Sequence, residues 1–151
     1  MNAGRRNIAS GSPYEKSIGF SRAVRVGNTL WVGGTAPIGA NGKTVGAGDP
    51  AAQTRRCLEI ISEALGEAGA ELKHVVRTRI FVTDLANWEA IGRAHGEIFA
   101  EIRPASTLVE VSGLIDPDWL VEIEADAVIG DGEDNWDNAW AARGGKGKPE
   151  R

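Results

Sequence analysis

The sequence has one cysteine, two histidines and no long apolar run, and each scarcity excludes a class of protein. A lone Cys57 cannot build a disulfide framework or a cysteine-rich zinc site, so a reducing compartment is expected. With only His74 and His95 and no carboxylates at ligand spacing, we predict no metal site. No stretch approaches the roughly 18 apolar residues of a membrane span, and no apolar stretch follows Arg5 and Arg6. We therefore expect a soluble cytoplasmic protein with no membrane partner.

Positive charge is also in short supply. The net charge of -4 and a pI of about 5.2 disfavour the basic surface that nucleic-acid binding needs, so we predict no nucleic-acid partner. The 151 residues fit a single domain. We place that domain at 1–130, with an irregular lead-in at 1–16 and a flexible tail at 131–151. In the tail, Trp136 and Trp140 predict either one helical turn that docks on a neighbour or a wholly mobile segment.

Glycines organise the first part of the predicted sheet. Two short β-rich runs flank Gly27 and Asn28, a pair that favours a two-residue hairpin turn. Gly33 and Gly34 interrupt the second run, which is typical of a bulge or of a close approach by a backbone or ligand, although a packing reason fits as well. The glycine-rich stretch 38–48 predicts a loop.

Two helices are expected. Asp49 and Pro50 supply a capping acceptor and a proline at the first helical position, and Gly69 predicts the end of that helix. The second helix is expected to start near Asp84 and to end before Pro104. Its predicted apolar side comprises Leu85, Trp88, Ile91, His95, Ile98 or Phe99, and Ile102.

Three alternating stretches complete the sheet. Val75 to Val82 predicts a central strand whose one side holds Val76, Thr78, Ile80 and Val82. Arg103 to Ile129 holds two further alternating segments, which we interpret as a strand pair with an acidic face. The resulting order of strands and helices favours a mixed α/β sheet with both helices on one face.

The other face of the predicted sheet is both charged and apolar. Its expected members are Arg77, Arg79, Glu110, Glu122, Glu124 and Asp126, with Phe81, Leu108 and Val128 among them. Opposite charges can pair across strands, and such a face suits an oligomer interface that encloses a polar cavity. We therefore predict self-association through this face.

Glu122 is the strongest catalytic candidate. On the expected polar face it stands beside Ser106, Thr107 and the strand of Arg79, and a sheltered carboxylate there could activate water as a general base. The alternative interpretation is a cross-strand ion pair. His95 is interpreted as a satisfied core histidine rather than a catalyst, and Cys57 as a small core hydrophobe.

Four segments together resemble the Rid (YjgF) family of reactive-intermediate deaminases and relatives. They read G-F-S-R-A-V-R-V-G-N-T-L-W-V-G-G-T-A-P, V-V-R-T-R-I-F-V-T-D-L, R-P-A-S-T-L-V-E-V-S-G-L and V-E-I-E-A-D-A-V, and they span about Gly19 to Ile129. The resemblance implies a chorismate-mutase-like α/β fold and a homotrimer whose sheets form an internal barrel with three intersubunit clefts. It also implies hydrolysis of imines or enamines of small amino acids to keto acids and ammonia, without a cofactor.

The resemblance assigns roles to individual positions. Gly34 matches the family's pocket glycine, Glu122 its water-holding glutamate, and Phe20 stands at a pocket tyrosine. Ser106 occupies the place of the arginine that clamps the substrate carboxylate, and Gly92 that of a helix asparagine. Serine lacks the bidentate guanidinium, so the chain resembles a branch without this arginine. Arg22, Arg79 or Arg103 could supply a displaced positive charge.

Two functions follow as hypotheses. The first is a hydrolase for an imine, an enamine or a related small carbonyl compound, with Glu122 placing water and with Phe20, Gly34, Ser106, Thr107 and Arg79 as substrate-binding residues. The second is a trimer that binds a small molecule or a protein partner without catalysis, because a fold alone does not determine a function.

Overall fold

The computed structural model describes residues 4–130, so the predicted tail with Trp136 and Trp140 lies outside the described residues. The main elements within this range are β1 (Arg5–Ile8), β2 (Ala23–Val26), β3 (Thr29–Thr35), α1 (Pro50–Glu67), β4 (Val75–Val82), α2 (Trp88–Phe99), β5 (Ala105–Glu110) and β6 (Val121–Val128). Single helical turns at Glu15–Gly19, Leu72–His74 and Leu85–Asn87 lie in the connections.

The strands form one mixed sheet in the order β1-β2-β3-β6-β4-β5. Only the β4–β5 pairing is parallel among the described strands, and the other neighbours are antiparallel. Helices α1 and α2 contact each other, and α1 packs on β3 and β6. His95 of α2 bonds the buried Thr78 of β4, so both helices cover the same face, which confirms the predicted mixed α/β arrangement.

We predicted that the two strands within 103–129 form a pair, and this prediction was wrong. Strand β6 lies between β3 and β4, and β5 lies at the sheet edge on the far side of β4. Alternation reveals that a segment is half-buried but not which strand it pairs with. The Asp-Pro connection is therefore a crossover past β4 rather than a hairpin.

The lead-in is more regular than expected. Arg5–Ile8 forms an edge strand in register with β2, and Ile8 enters the core. Only Ile8 is buried in this strand, so the sequence shows no alternation of apolar and polar residues that would have predicted it. Backbone hydrogen bonds to β2 chiefly hold the strand in place.

The helix and turn signals were correct. Gly27 adopts φ 58° in the β2–β3 turn, and a register shift between Val32 and Thr35 marks the predicted irregularity at the glycine pair. The Asp49 carboxylate accepts a hydrogen bond from Ala52 N at 3.0 Å, which caps α1.

Three predicted core positions are exposed instead. Val76 is 47% exposed, because a bulge between Val75 and Arg77 puts Val75 into the core in its place. Leu85 is 49% exposed in the turn that precedes α2, and Trp88 is 57% exposed at the first position of α2. Ile91 and Phe99 of α2 are buried as predicted.

The face of the sheet opposite the helices, here called the open face, combines charged and apolar groups. By register it holds Val24, Trp31, Phe81, Arg77, Arg79, Glu122, Glu124, Asp126, Thr107 and Val109. No helix within the described residues is both long enough and apolar enough to cross a membrane.

Candidate functional site

Glu122 lies on the open face, in β6, with its carboxylate against the bulge of β3. A methyl group at residue 34 would lie 3.1 Å from Glu122 Cδ and 3.3 and 3.4 Å from its two oxygens. Glycine at this position therefore leaves the room that the carboxylate occupies. The structure therefore places Gly34 and Glu122 side by side, and their roles remain predictions.

Arg22 completes this corner of the sheet. Its Nη1 donates to Gly34 O at 2.9 Å and to Thr35 Oγ1 at 3.3 Å. Burial lowers the pKa of Arg22, whereas the nearby Glu122 carboxylate raises it. The guanidinium is thus anchored by backbone and hydroxyl oxygens beside Glu122, rather than by a bidentate bond to it.

The environment of Glu122 shifts its acidity. Burial raises the pKa of this carboxyl most, the Glu124 charge raises it further, and Arg22 opposes both. A carboxylate that holds its proton more tightly is a stronger base once ionised, so burial makes Glu122 a stronger base than an exposed glutamate.

Cys57 lies behind this corner, beneath the sheet. Its side chain is fully buried, and burial raises the pKa of the thiol to about 12. The thiolate that a nucleophile requires is therefore not formed at neutral pH. The interpretation of Cys57 as a small core hydrophobe is confirmed.

Phe20 lies in the segment before β2 and is 39% exposed. It borders a shallow depression lined by Arg5, Asn7, Glu15, Lys16, Gly19, Phe20, Ser21 and Val24. Ser10 donates its backbone N–H and its hydroxyl to the Glu15 carboxylate, which fixes the turn that carries Phe20. The aromatic ring is thus partly exposed at the surface just before the start of β2.

Arg79 occupies the middle of the open face and is already paired. Its Nη1 lies 3.3 Å from Asp126 Oδ2, and Arg77 Nε lies 3.9 Å from the same oxygen. This arrangement supports the expected cross-strand pairing of charges. The Asp126 carboxylate also reduces the capacity of Arg79 to bind a substrate anion.

Ser106 does not share a face with Glu122, and the predicted grouping of the two was wrong. Ser106 pairs in register with Thr78, whose hydroxyl lies 2.8 Å from Ser106 Oγ on the helix side of the sheet. Leu108 and Glu110 follow Ser106 to that side, where Glu110 accepts a hydrogen bond from Leu85 N. Thr107 remains on the open face in register with Arg79. The alternation of β5 was predicted correctly, but the prediction put Ser106, Leu108 and Glu110 on the wrong side of the sheet.

His95 is linked to Ser106 through Thr78. Its Nε2 lies 2.9 Å from Thr78 Oγ1, and its ring centroid lies 4.6 Å from that of Phe99, with the two rings tilted by 38°. Burial lowers the pKa of His95, so the imidazole is neutral at neutral pH. The hydrogen bond of Nε2 agrees with the satisfied part of the core-histidine interpretation, but His95 is half-buried rather than in the core.

Sequence reasoning missed the two residues that organise these groups. Thr78 was recognised only as a core position, and Arg22 only as a possible source of charge. A threonine among the apolar residues of a buried strand signals a buried hydroxyl that needs partners, and that signal could have identified Thr78. Within the described residues, no three His, Cys, Asp or Glu side chains are grouped as metal ligands would be.

Comparison with known proteins shows a clear family relationship. The family model described as Endoribonuclease L-PSP matches residues 12–129. The chain is 43% identical over 107 residues, covering 71% of it and 84% of the relative, to 3-aminoacrylate deaminase RutC of Acinetobacter baylyi. It is 40% identical to an uncharacterised protein of Streptomyces coelicolor, over 83% of this chain and 92% of the relative.

Solved structures give the same result. The crystal structure of Rv2704 from Mycobacterium tuberculosis, a member of the YjgF/YER057c/UK114 family, superposes with a TM-score of 0.75 at 48% identity. The match covers 83% of this chain and 100% of the other.

Proposed function

Because the chain belongs to the YjgF/Rid family, we propose that it is a homotrimer with small-molecule clefts between subunits that hydrolyses imines, enamines or related small carbonyl compounds and releases ammonia. The observation that carries this proposal is the Glu122 carboxylate, half-buried against Gly34 with its pKa raised by burial. The 3-aminoacrylate deaminase similarity supports the same reaction class.

The proposed chemistry assigns one proton transfer to Glu122. An ionised Glu122 takes a proton from water as the water oxygen bonds to the carbon of a C=N group. Glu122 passes that proton to the imine nitrogen, which gives a carbinolamine and regenerates the carboxylate. The hydroxyl proton of the carbinolamine then moves to the nitrogen, the carbon–nitrogen bond breaks, and ammonia leaves a carbonyl compound behind. An enamine first tautomerises to the imine, and no cofactor is required for any of these steps. General-base assistance of this type contributes roughly 10²–10⁴-fold.

The trimer part of the proposal rests on the open face. Trp31 and Val109 are 47% and 42% exposed there, beside half-exposed charges. Apolar groups interleaved with pairable charges are typical of surfaces that associate with copies of themselves. Packing the open faces together would further shelter Glu122. It would also bring Glu122 of one protomer to the β5 edge of the next. Glu122 and Ser106, which lie on opposite faces of one chain, would then contribute to the same site from two protomers.

The experiment is a decay assay on full-length protein. 3-Aminoacrylate or 2-iminobutanoate is generated in situ, and its loss is followed with and without the protein at neutral pH. Faster decay that is lost in Glu122→Gln supports the hydrolase. Decay that is not accelerated, or that is equally accelerated by the variant, rejects it for these substrates.

A second candidate is a non-enzymatic trimer that binds small molecules or a protein partner. The observation that favours it is Ser106, a neutral side chain in the place where the resemblance implies an arginine clamp. Under this alternative, ligands bind between subunits but wild type and Glu122→Gln do not differ in any decay assay. Endoribonuclease activity, which the family description names, is not proposed, because a net charge of -4 disfavours RNA binding.

A further inference from the structure

One end of the open face carries an apolar patch that the proposed chemistry does not use. Register pairs Val24 of β2 with Trp31 of β3. In the next row, Thr29 of β3 lies between Val26 and Val128. Val26, Trp31 and Val128 are 38%, 47% and 42% exposed. These four apolar residues, Val24, Val26, Trp31 and Val128, are called the rim patch, and they form a surface across three neighbouring strands.

The rim patch lies at the end of the sheet that is remote from Glu122. Val128 follows Glu122 by six residues on β6, which corresponds to about 20 Å at roughly 3.3 Å per residue. Phe81 and Val109 lie in the row of Glu122. A segment that covers the rim patch would therefore leave the Glu122 end of the open face to the proposed assembly.

The chain leaves the fold beside the rim patch. Ile129 N donates to Asn28 O at 2.8 Å, which fixes the end of β6 against the turn between β2 and β3. The residues that follow, 131–140, lie outside the described residues. Because they are tethered at the rim patch by a short connection, their effective concentration there is on the order of millimolar.

The composition of 131–140 suits such a contact. The segment holds Trp136 and Trp140, two of the five tryptophans of the chain, whereas segments that stay unfolded are poor in aromatic residues. Trp136 is six residues beyond Gly130, a reach of up to about 20 Å. Strands β6 and β2 are separated by two strand spacings, or about 10 Å. Both tryptophans can therefore reach every strand of the rim patch.

Charge at the border of the rim patch also matches the segment. The sequence 131–140 contains four acidic residues and no basic one. The rim patch shares Val24 with the neighbouring depression, where Arg5 and Lys16 outnumber the single carboxylate of Glu15. An acidic segment placed on the rim patch therefore meets a border with a net positive charge.

We propose that residues 131–140 pack on the rim patch of their own chain, with Trp136 and Trp140 against its apolar side chains. Residues four apart lie on one side of a helical turn, so both indoles can face the rim patch together. Each buried indole removes roughly 150–250 Å² of surface from water. The family match ends at residue 129, so this contact lies beyond the region that the family model describes.

A nitroxide spin label on Asn138→Cys locates the segment in the full-length protein. The label spares Cys57, which is fully buried with the pKa of its thiol raised to about 12. In NMR spectra of isotope-labelled protein, we expect the amide signals of Val26 and Trp31 to lose most of their intensity relative to the reduced, diamagnetic label. The signal of Val109, in the row of Glu122, should keep its intensity. No loss at Val26 and Trp31, or an equal loss at Val109, would overturn the proposal.

Variants of the segment separate a specific contact from simple tethering. Trp136→Ser combined with Trp140→Ser should restore the signals of the rim patch, whereas Trp136→Phe combined with Trp140→Phe keeps two apolar rings and should retain most of the loss. Lys146→Gln is the control beyond the segment and should change nothing. A loss that survives the serine variant would come from tethering alone and would overturn the proposal.

Variants of the rim patch test the other side of the contact. Val26→Ser combined with Val128→Ser should restore the signal of Thr29, which lies between the two substituted residues. Val45→Ser, at a residue 36% exposed in the loop before α1, is the matched control and should leave the loss at Thr29 unchanged. An unchanged loss in the rim-patch variant would mean that the segment does not contact these side chains.

Mixed samples distinguish the same chain from a neighbour. Spin-labelled chains without the isotope are unfolded in urea and refolded together with isotope-labelled chains that carry no spin label. We expect the rim-patch signals to keep their intensity in this mixture. A loss as strong as that within one chain would mean that the segment covers the rim patch of a second copy, and the assignment to its own chain would be wrong.

Discussion

At the scale of single residues, the proposed chemistry depends on one carboxylate kept in an unfavourable environment. Glu122 is half-buried and close to Glu124, and both conditions favour its protonated form. Groups with strongly perturbed acidity are concentrated at functional sites, although structural ion pairs also shift them. Holding such a carboxylate in the fold costs stability, and that cost can be measured.

The stability of Glu122→Gln should depend on pH in a definite direction. The folded pKa of Glu122 is raised above its unfolded value, so its favourable contribution is fully present below the unfolded pKa and is lost as pH rises through the folded pKa. Glutamine has nearly the same shape and does not titrate. We therefore expect the Tm of Glu122→Gln to exceed that of wild type at pH 8 and to converge on it near pH 4, as measured by thermal denaturation. A variant that is less stable at pH 8 than wild type would contradict a raised pKa.

Gly34→Ala tests the contact between β3 and this carboxylate. The added methyl group would lie 3.1 Å from Glu122 Cδ, so the flexible side chain must shift by a few tenths of an ångström or more. A displaced catalytic group can cost as much as about 10²-fold in rate. If the chain is the proposed hydrolase, kcat should fall by roughly tenfold to a hundredfold with little change in Tm.

The matched control for this substitution is Gly66→Ala. Gly66 lies in α1, and a methyl group there would meet nothing within 4 Å. Alanine in a helix interior is favoured over glycine by roughly 0.5–1 kcal/mol, so the control should be slightly more stable and equally active. Equal kcat in both variants would show that Gly34 does not need to be glycine for catalysis.

At the scale of elements, a buried glutamine of α1 holds the connection that leads into β6. Gln53 Nε2 donates to Gly46 O at 3.1 Å and to Asp118 O at 2.9 Å, and its Oε1 accepts from Leu120 N at 2.8 Å. The side chain is fully buried. Gln53 thereby sets where β6, and with it Glu122, begins.

Gln53→Leu should destabilise the protein by roughly 2–4 kcal/mol, because each buried group left without a partner costs about 1–3 kcal/mol. Urea denaturation measures this change in the free energy of unfolding. Asp49→Ala is the control, since it removes one exposed cap of the same helix and should cost only about 1 kcal/mol. If Gln53→Leu lost less free energy of unfolding than Asp49→Ala, water would have to replace the hydrogen bonds of Gln53.

Individual helices, strands and turns were easier to predict from the sequence than the order of the strands in the sheet. The cap at Asp49 and the turn at Gly27 depend on local dihedral angles and hydrogen bonds, so local residues determine them. The placement of β6 between β3 and β4, the core position of Val75 and the side taken by Ser106 depend on long-range pairing and on a bulge. The resemblance singled out Glu122 and Gly34 as candidate site residues. The hydrogen bonds that join Ser106, Thr78 and His95 depend on the pairing of β4 with β5, so the sequence did not predict them.

At the scale of the whole molecule, the proposed trimer depends on the open face. This face exposes Trp31 and Val109, and the helices within residues 4–130 cover the other side of the sheet. Exposed apolar side chains that are grouped on one face favour a protein interface. The proposed trimer should therefore be visible at micromolar concentration by size-exclusion chromatography with light scattering.

Val109→Asp should convert that trimer into monomer. Val109 is 42% exposed on β5 and in register with Phe81, so a carboxylate there would be buried without a designed partner when the faces meet. Val45→Asp is the matched control, because Val45 is 36% exposed in the loop before α1, away from the open face. The control should stay trimeric and as folded as wild type by circular dichroism. A monomeric wild type, or a trimeric Val109→Asp, would mean that the open face is not the surface through which this chain assembles.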